Sequence, residues 1–230
     1  MAVGCNHGYW ADPSALQGVL EFRDRWKPTT RIHLGDYMDT TSFRTGAGAK
    51  DHVGEVIDDL SVGVEFLDRY EPTLLFNGNH DIRIWESLND GNAHRRFAAQ
   101  EIVKKIEKTV GRIEFVRDYH ITKSVRRIAD TNFLHGFMYN DNGIRDHAAH
   151  FGRSVIAHLH KVGSANASRF DSPTAYCVGY LGDEEKFEYA ARRRATSQWS
   201  QGFAWGEYSD KECLVWLNER NREGAWRLPV

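Results

Sequence analysis

Arg31-Ile32-His33-Leu34-Gly35-Asp36-Tyr37-Met38-Asp39 reads as a short strand that runs into a glycine and then into two carboxylates. Polar residues just past a strand end mark the place where open α/β sheets hold ligands. The same grammar recurs on both sides of this stretch. Upstream, Asp12-Pro13 reads as an N-cap followed by proline at the first helical position. Leu16, Val19, Leu20 and Trp26 then recur at helical spacing until Pro28 stops the helix. Downstream, Val53, Val56, Ile57, Leu60, Val64 and Leu67 mark a second amphipathic helix, and 72–76 is a buried-strand candidate running into Gly78. A third helix is expected over 97–108, with Ile102, Val103 and Ile106 inward. Beyond it the chain reads as mostly β, with strands expected at 112–116, 127–134, 154–158, 175–180, 202–208 and 212–217. Alternating helices and strands followed by a strand-rich half predict an α/β fold in layers, sheets inside and helices outside. Residues 1–230 are expected to form one domain.

Composition narrows the function classes. Of 230 residues, 41% are hydrophobic and 27% charged, which is ordinary globular usage, and the net charge of -2 argues against a general polyanion binder. Three cysteines, odd in number, make a disulfide framework unexpected and favour a reducing compartment. The opening Met1-Ala2-Val3-Gly4 carries no basic or long apolar leader, and no apolar run is long enough to span a membrane. A cytoplasmic protein without a membrane partner is the expectation. Eleven histidines are a surplus of the commonest metal ligand and proton shuttle, which prompts a search for clusters.

Five segments answer that search, each at the end of a strand candidate: Gly4-Cys5-Asn6-His7-Gly8, Gly35-Asp36-Tyr37-Met38-Asp39, Gly78-Asn79-His80-Asp81, His135-Gly136 and Ala157-His158-Leu159-His160. Their His, Asp and Asn side chains are ligands for borderline divalent metals. Their glycines suit tight turns and close approach of a ligand. Together and in order, these segments resemble the motif set of the calcineurin-like metallophosphoesterases: Asp-x-His, Gly-Asp-x-x-Asp, Gly-Asn-His-Asp/Glu, a lone His and Gly-His-x-His. The resemblance spans Gly4 to His160, and in size and motif style it is closest to stand-alone copies, including those carried by phages.

What the resemblance implies is specific. The fold would be a four-layer α/β/β/α sandwich. Asp36 would bridge two divalent ions (manganese, zinc or iron). His7 and His160, with the residue at position 5, would complete one site; Asn79, His135 and His158 would complete the other. His80, oriented by Asp39, would act on the substrate phosphate instead of binding metal. The two ions would lower the pKa of a shared water, and the resulting hydroxide would attack phosphorus. The substrate would be a phosphate ester, with a diester favoured over a monoester and nucleotides or nucleic acids among the partners. Thr40 and Thr41 follow Asp39 where protein phosphatases have Arg-Gly, which argues against that activity.

The sequence departs from the pattern at Cys5, where the family has an aspartate, and at Ala157, where it has a glycine. Two readings of Cys5 stay open. A thiolate ligand would favour zinc or ferrous iron over magnesium or calcium; a space-filling thiol would leave that site only His7, Asp36 and His160. Arg44 and Arg83 follow two of the motifs and are candidate phosphate-binding residues, because guanidinium matches phosphate bidentately; the alternative is a helix-surface arginine. His33 reads as a core or supporting residue. His52, His94, His120, His147 and His150 read as surface, with His147 or His150 able to reach the site. Tyr9 and Trp10 are candidates to line the substrate pocket, whereas Trp199, Trp205, Trp216 and Trp226 read as core. Arg192-Arg193-Arg194 reads as a solvated face. A nuclease and a non-catalytic scaffold on the same fold are the rival functions.

Overall fold

The computed structural model describes residues 1–47, 56–187 and 198–226. Val53, His52 and the Arg192–Arg194 run lie outside the described residues. The elements are β1 (Ala2–Val3), α1 (Pro13–Trp26), β2 (Ile32–His33), α2 (Val56–Tyr70), β3 (Leu74–Phe76), α3 (Ile82–Ser87), α4 (Ala93–Val110) and β4 (Glu114–Val116). There follow β5 (Arg126–Ile128), β6 (Thr131–Phe133), α5 (Gly143–Phe151), β7 (Ser154–Ile156), β8 (Val162–Asn166), β9 (Thr174–Val178), β10 (Gly202–Tyr208) and β11 (Cys213–Glu219). One sheet has the order β11-β10-β1-β2-β3-β4 and the other β5-β6-β7-β9-β8. β1 through β4 are parallel neighbours, as are β6, β7 and β9.

Strand alternation sets the layers, because successive side chains point to opposite faces. Ala2, Ile32, Leu34, Leu74, Phe76 and Val116 of the first sheet meet Phe133, Val155, Ala157 and Val178 of the second. The intervening Val3 faces α1 and α2 through Leu16, Val19, Phe22, Phe66 and Tyr70. Leu75 likewise faces α2 and α4 through Leu67, Ile102 and Ile106. On the far side, Leu134, Ile156, Ala175 and Cys177 face Ile144 and Ala148 of α5. The result is the α/β/β/α sandwich that the motif resemblance implies. Among the described residues no helix is long and apolar enough to cross a membrane.

Three features of the second half differ from the sequence reading, one of them β8 (Val162–Asn166), which was not expected. The strand expected over 127–134 is the hairpin β5–β6, turning at Ala129, which has φ 50°. Asp130 fixes that turn by accepting hydrogen bonds from Thr131 Oγ1 (2.9 Å) and the Cys213 amide (2.8 Å). α5 interrupts the strand-rich half: Gly143, Ile144, His147 and Ala148 are its buried face, and a histidine and small residues there left little apolar periodicity to read.

Asp12 performs the capping role expected of it and more. Its Oδ1 accepts from the Ser14 and Ala15 amides (2.8 and 3.2 Å), while Oδ2 accepts from Arg220 Nη1 (2.6 Å) and Gln201 Nε2 (3.0 Å). One carboxylate thus caps α1 and ties it to β10 and β11. Burial raises its pKa, but hydrogen bonds from Ser14, Gln201, Arg220 and Ala15 outweigh that and hold it below the usual carboxylate range. Asp12→Ala is expected to cost roughly 1–3 kcal/mol at pH 7. A folded pKa below the unfolded one stabilises fully above the unfolded value of about 4, and that stability is lost as pH falls from there through the folded pKa. Urea unfolding should therefore show the difference between the two proteins shrinking in acid; a constant difference would refute the assignment.

Candidate metal centre

All five motif segments lie at the carboxyl ends of parallel strands of the two sheets: Cys5 and His7 after β1, Asp36 and Asp39 after β2, Asn79 and His80 after β3, His135 after β6, His158 and His160 after β7. The strand ends bring them together. Asp36 Oδ2 lies 3.2 Å from His135 Nε2 and 4.0 Å from His7 Nε2. Asn79 Oδ1 lies 3.1 Å from His135 Nε2 and 2.9 Å from His158 Nδ1. His7 Nε2 lies 3.0 Å from His160 Nε2. Among the described residues, the donor atoms of Cys5, His7 and His160, of Cys5, Asp36 and His135, and of His7, Asp36 and His80 form triads within 4.8 Å.

The protons decide what such a cluster can hold. His135 Nδ1 sits 2.9 Å from the Leu34 carbonyl, a pure acceptor, so it carries a ring proton and turns Nε2 toward the centre. That nitrogen faces two oxygens, those of Asp36 and Asn79. His7 Nδ1 is similarly held by Asp39 Oδ1 (3.3 Å), which aims a bare Nε2 at His160. Burial keeps His7, His158 and His160 neutral by lowering their pKa, that of His158 to about 3. Burial alone would raise the Asp36 pKa, but His135, His80 and His7 hold it well below the usual range. Imidazole nitrogens, a carboxylate, an amide oxygen and a thiol gathered from five strand ends are donors of the kind divalent ions take, so the residues fit divalent ions.

The backbone is bent to make this cluster. Among the described residues, ten non-glycine residues have positive φ, and Cys5, His7, Asp36, His158 and His160 are five of them. Such conformations cost of order 1–3 kcal/mol each and persist only where the surroundings enforce them. Buried Asp81 is one enforcer: its Oδ2 accepts from the amides of Asp36 (2.5 Å) and Gly78 (2.8 Å), its Oδ1 from that of Met38 (3.1 Å). A Cβ at Gly78 would collide with the Asp36 carboxylate and the His135 ring, so only glycine lets β3 approach so closely. His33 plays the supporting part expected of it, with Nε2 2.8 Å from Asn6 Oδ1, whose amide nitrogen donates to the Tyr37 carbonyl (3.0 Å).

Asp59, on α2, is a support that the sequence reading missed. Its carboxylate accepts from the amides of Asp39 (2.9 Å), Thr40 (2.9 Å) and Tyr9 (3.4 Å), pinning two motif loops at once. Burial pushes its pKa up to about 6 although the Asp39 and Thr40 amides pull the other way. A polar residue on an apolar helix face was the available signal. Asp59→Ala strands these donors and is expected to cost roughly 2–4 kcal/mol, read as a lower denaturant midpoint at an unchanged slope.

Asp39 and His80 are paired. His80 Nδ1 lies 2.7 Å from the Asp39 carbonyl oxygen and 3.1 Å from its Oδ1, and Thr41 Oγ1 donates to Asp39 Oδ2. Burial lowers the His80 pKa, but Asp36 and Asp39 outweigh it and lift the value to about 9. Arg83 joins this group, with Nη1 3.2 Å from the Asp39 carbonyl oxygen and 3.3 Å from His80 Nδ1. Arg44 is exposed on the loop after Phe43. His147 is buried, not a surface residue, and both its nitrogens serve the fold: Nδ1 donates to the Gly143 carbonyl (2.6 Å) and Nε2 accepts from the Phe137 amide (2.8 Å). His94, His120 and His150 are exposed. Trp10 packs edge-on to Phe187 with ring centroids 4.7 Å apart, whereas Tyr9 is exposed. Trp199 contacts the His160 ring at 4.4 Å and so lies against the centre as well as the core.

The fold is that expected of a calcineurin-like metallophosphoesterase. No protein-family model and no curated protein matches the chain. Among solved structures it is similar to YfcE, a phosphoesterase from E. coli, at 13% identity and a TM-score of 0.42, over 100% of this chain and 97% of that one. It is also similar to a single mutant of Vps29 from Entamoeba histolytica, at 12% identity and a TM-score of 0.36, over 71% of this chain and 84% of that one.

Proposed function

We propose that the chain is a dinuclear metal-dependent phosphoesterase of the calcineurin-like type, acting on a phosphate ester and more readily on a diester. The observation that carries this reading is the place of the Asp36 carboxylate, between the Nε2 atoms of His135 and His7. Asp36 would be shared by two divalent ions, with Asn79, His135 and His158 on one side and His7, His160 and position 5 on the other. Two bound cations supply charge that clamps phosphoryl oxygens and activates water.

The chain's own groups do the rest. Asp39 commits His80 Nδ1, so Nε2 is the nitrogen left to give a proton to the departing alkoxide. Arg83, beside His80, adds positive charge where a phosphoryl group would sit. Arg44 is proposed as a second phosphate contact from its exposed loop. Substrates of this class include nucleotides and nucleic acids. Turnover of bis(p-nitrophenyl) phosphate and p-nitrophenyl phosphate should depend on added manganese, zinc or iron and be faster on the diester. A panel with single- and double-stranded nucleic acid separates the nuclease reading. Absence of turnover with every metal would leave the scaffold reading.

A further inference from the structure

Three buried cysteines behave in two ways. Cys177 and Cys213 donate their S–H to backbone carbonyls, of Ala157 (3.2 Å) and Ile128 (3.3 Å), as ordinary buried thiols do. Cys5 instead accepts: the His158 amide donates to its Sγ at 3.3 Å. Its backbone is clamped on both sides, the amide donating to the Gly35 carbonyl (2.9 Å) and the carbonyl accepting from Leu181 (3.1 Å), while φ is held at 55°. Sγ also belongs to two of the donor triads, with His7 and His160 and with Asp36 and His135.

We infer that Cys5 is a thiolate ligand that makes the two metal positions unlike, so that the first takes a borderline-soft ion such as zinc and the second a harder one such as manganese. This rests on the proposed dinuclear centre and adds its selectivity. The first position offers one sulfur, two imidazoles (His7 and His160) and the Asp36 carboxylate, a donor set that suits zinc. The second offers two oxygens, from Asp36 and Asn79, and two imidazoles, from His135 and His158. On loading, the S–H proton leaves to solvent as the sulfur–metal bond forms.

Cobalt(II) is the probe, added to the full-length, metal-stripped chain and to its Cys5→Asp and Cys5→Ser variants. The wild type should show a near-ultraviolet sulfur-to-cobalt charge-transfer band together with visible d–d bands. Both variants should keep the d–d bands and lose the charge-transfer band. Zinc should quench the wild-type band ahead of manganese, and Cys5→Asp should lower the zinc-over-manganese preference on the order of 10–100-fold, the scale of changes around a metal site. d–d bands in the wild type without a charge-transfer band would overturn the inference and leave the phosphoesterase reading standing. No cobalt binding by the wild type would overturn both. The wild-type band decides even if a variant fails to fold, which circular dichroism will show.

Discussion

Asp36→Asn is expected to abolish metal-dependent turnover, by at least the order of 10²–10³ seen when one charge-stabilising group is removed, and to lower the stability of the metal-free chain at pH 7. The two halves of this expectation have one cause. Without metal, Asp36 is a fully buried carboxylate whose Oδ1 accepts the His80 amide (2.8 Å) and whose Oδ2 faces His135 Nε2 (3.2 Å). An asparagine keeps the first bond through its carbonyl oxygen. It cannot supply the negative charge that His135, His80 and His7 stabilise in the wild type. The cost of desolvating a charge disappears, but those interactions outweigh it. What asparagine cannot do is neutralise and bridge two cations. Thermal unfolding in chelator at pH 7 should give a midpoint below that of the wild type, and metal analysis after reloading should give at most one ion per chain. Retained turnover with two bound ions would show that bridging by Asp36 is not what the centre depends on.

The layers were legible because strand alternation and helical spacing were strong where the core is thick. Leu74, Leu75 and Phe76 alternate between the inter-sheet core and the helical face, as a strand buried on both sides must. Legibility failed where the stabilising groups are polar. The hairpin turn at Ala129 depends on Asp130 bonding to Cys213, 83 residues away. α5 presents His147, whose ring replaces apolar packing with two backbone hydrogen bonds. Asp59 offered only a polar residue on an apolar helix face as a signal, and the amides it accepts come from two distant loops that the local pattern does not name. At the centre, the residue types and the glycines carried the reading, since a Cβ at Gly78 or at Gly8 would strike Asp36 or Asp59. The left-handed backbone at five proposed ligands was not readable, because histidine and aspartate only favour it weakly and distant partners such as Asp81 enforce it.

His80→Gln should lower kcat on the order of 10²–10⁴-fold for a diester with a poor alkoxide leaving group and far less for one with p-nitrophenolate, with the metal content unchanged. The geometry separates this residue from the ligands even though its ring shares a donor triad with His7 and Asp36. Nδ1 sits 2.7 Å from the Asp39 carbonyl oxygen, an acceptor, so that nitrogen carries a proton and has no lone pair to offer a metal. Asp36 and Asp39 offset burial and lift the pKa to about 9, which keeps the ring an imidazolium at neutral pH. An imidazolium repels cations but can hand a proton from Nε2 to a leaving oxygen. A poor leaving group needs that proton; p-nitrophenolate departs without it, so the ratio of the two losses measures general-acid catalysis independently of positioning. Glutamine keeps a polar neighbour for Arg83, which otherwise remains paired with the Asp39 carbonyl (3.2 Å). A fall from two bound ions to one in the variant would make His80 a ligand and end the acid assignment; equal losses on both substrates would leave it only a positioning or charge-stabilising role.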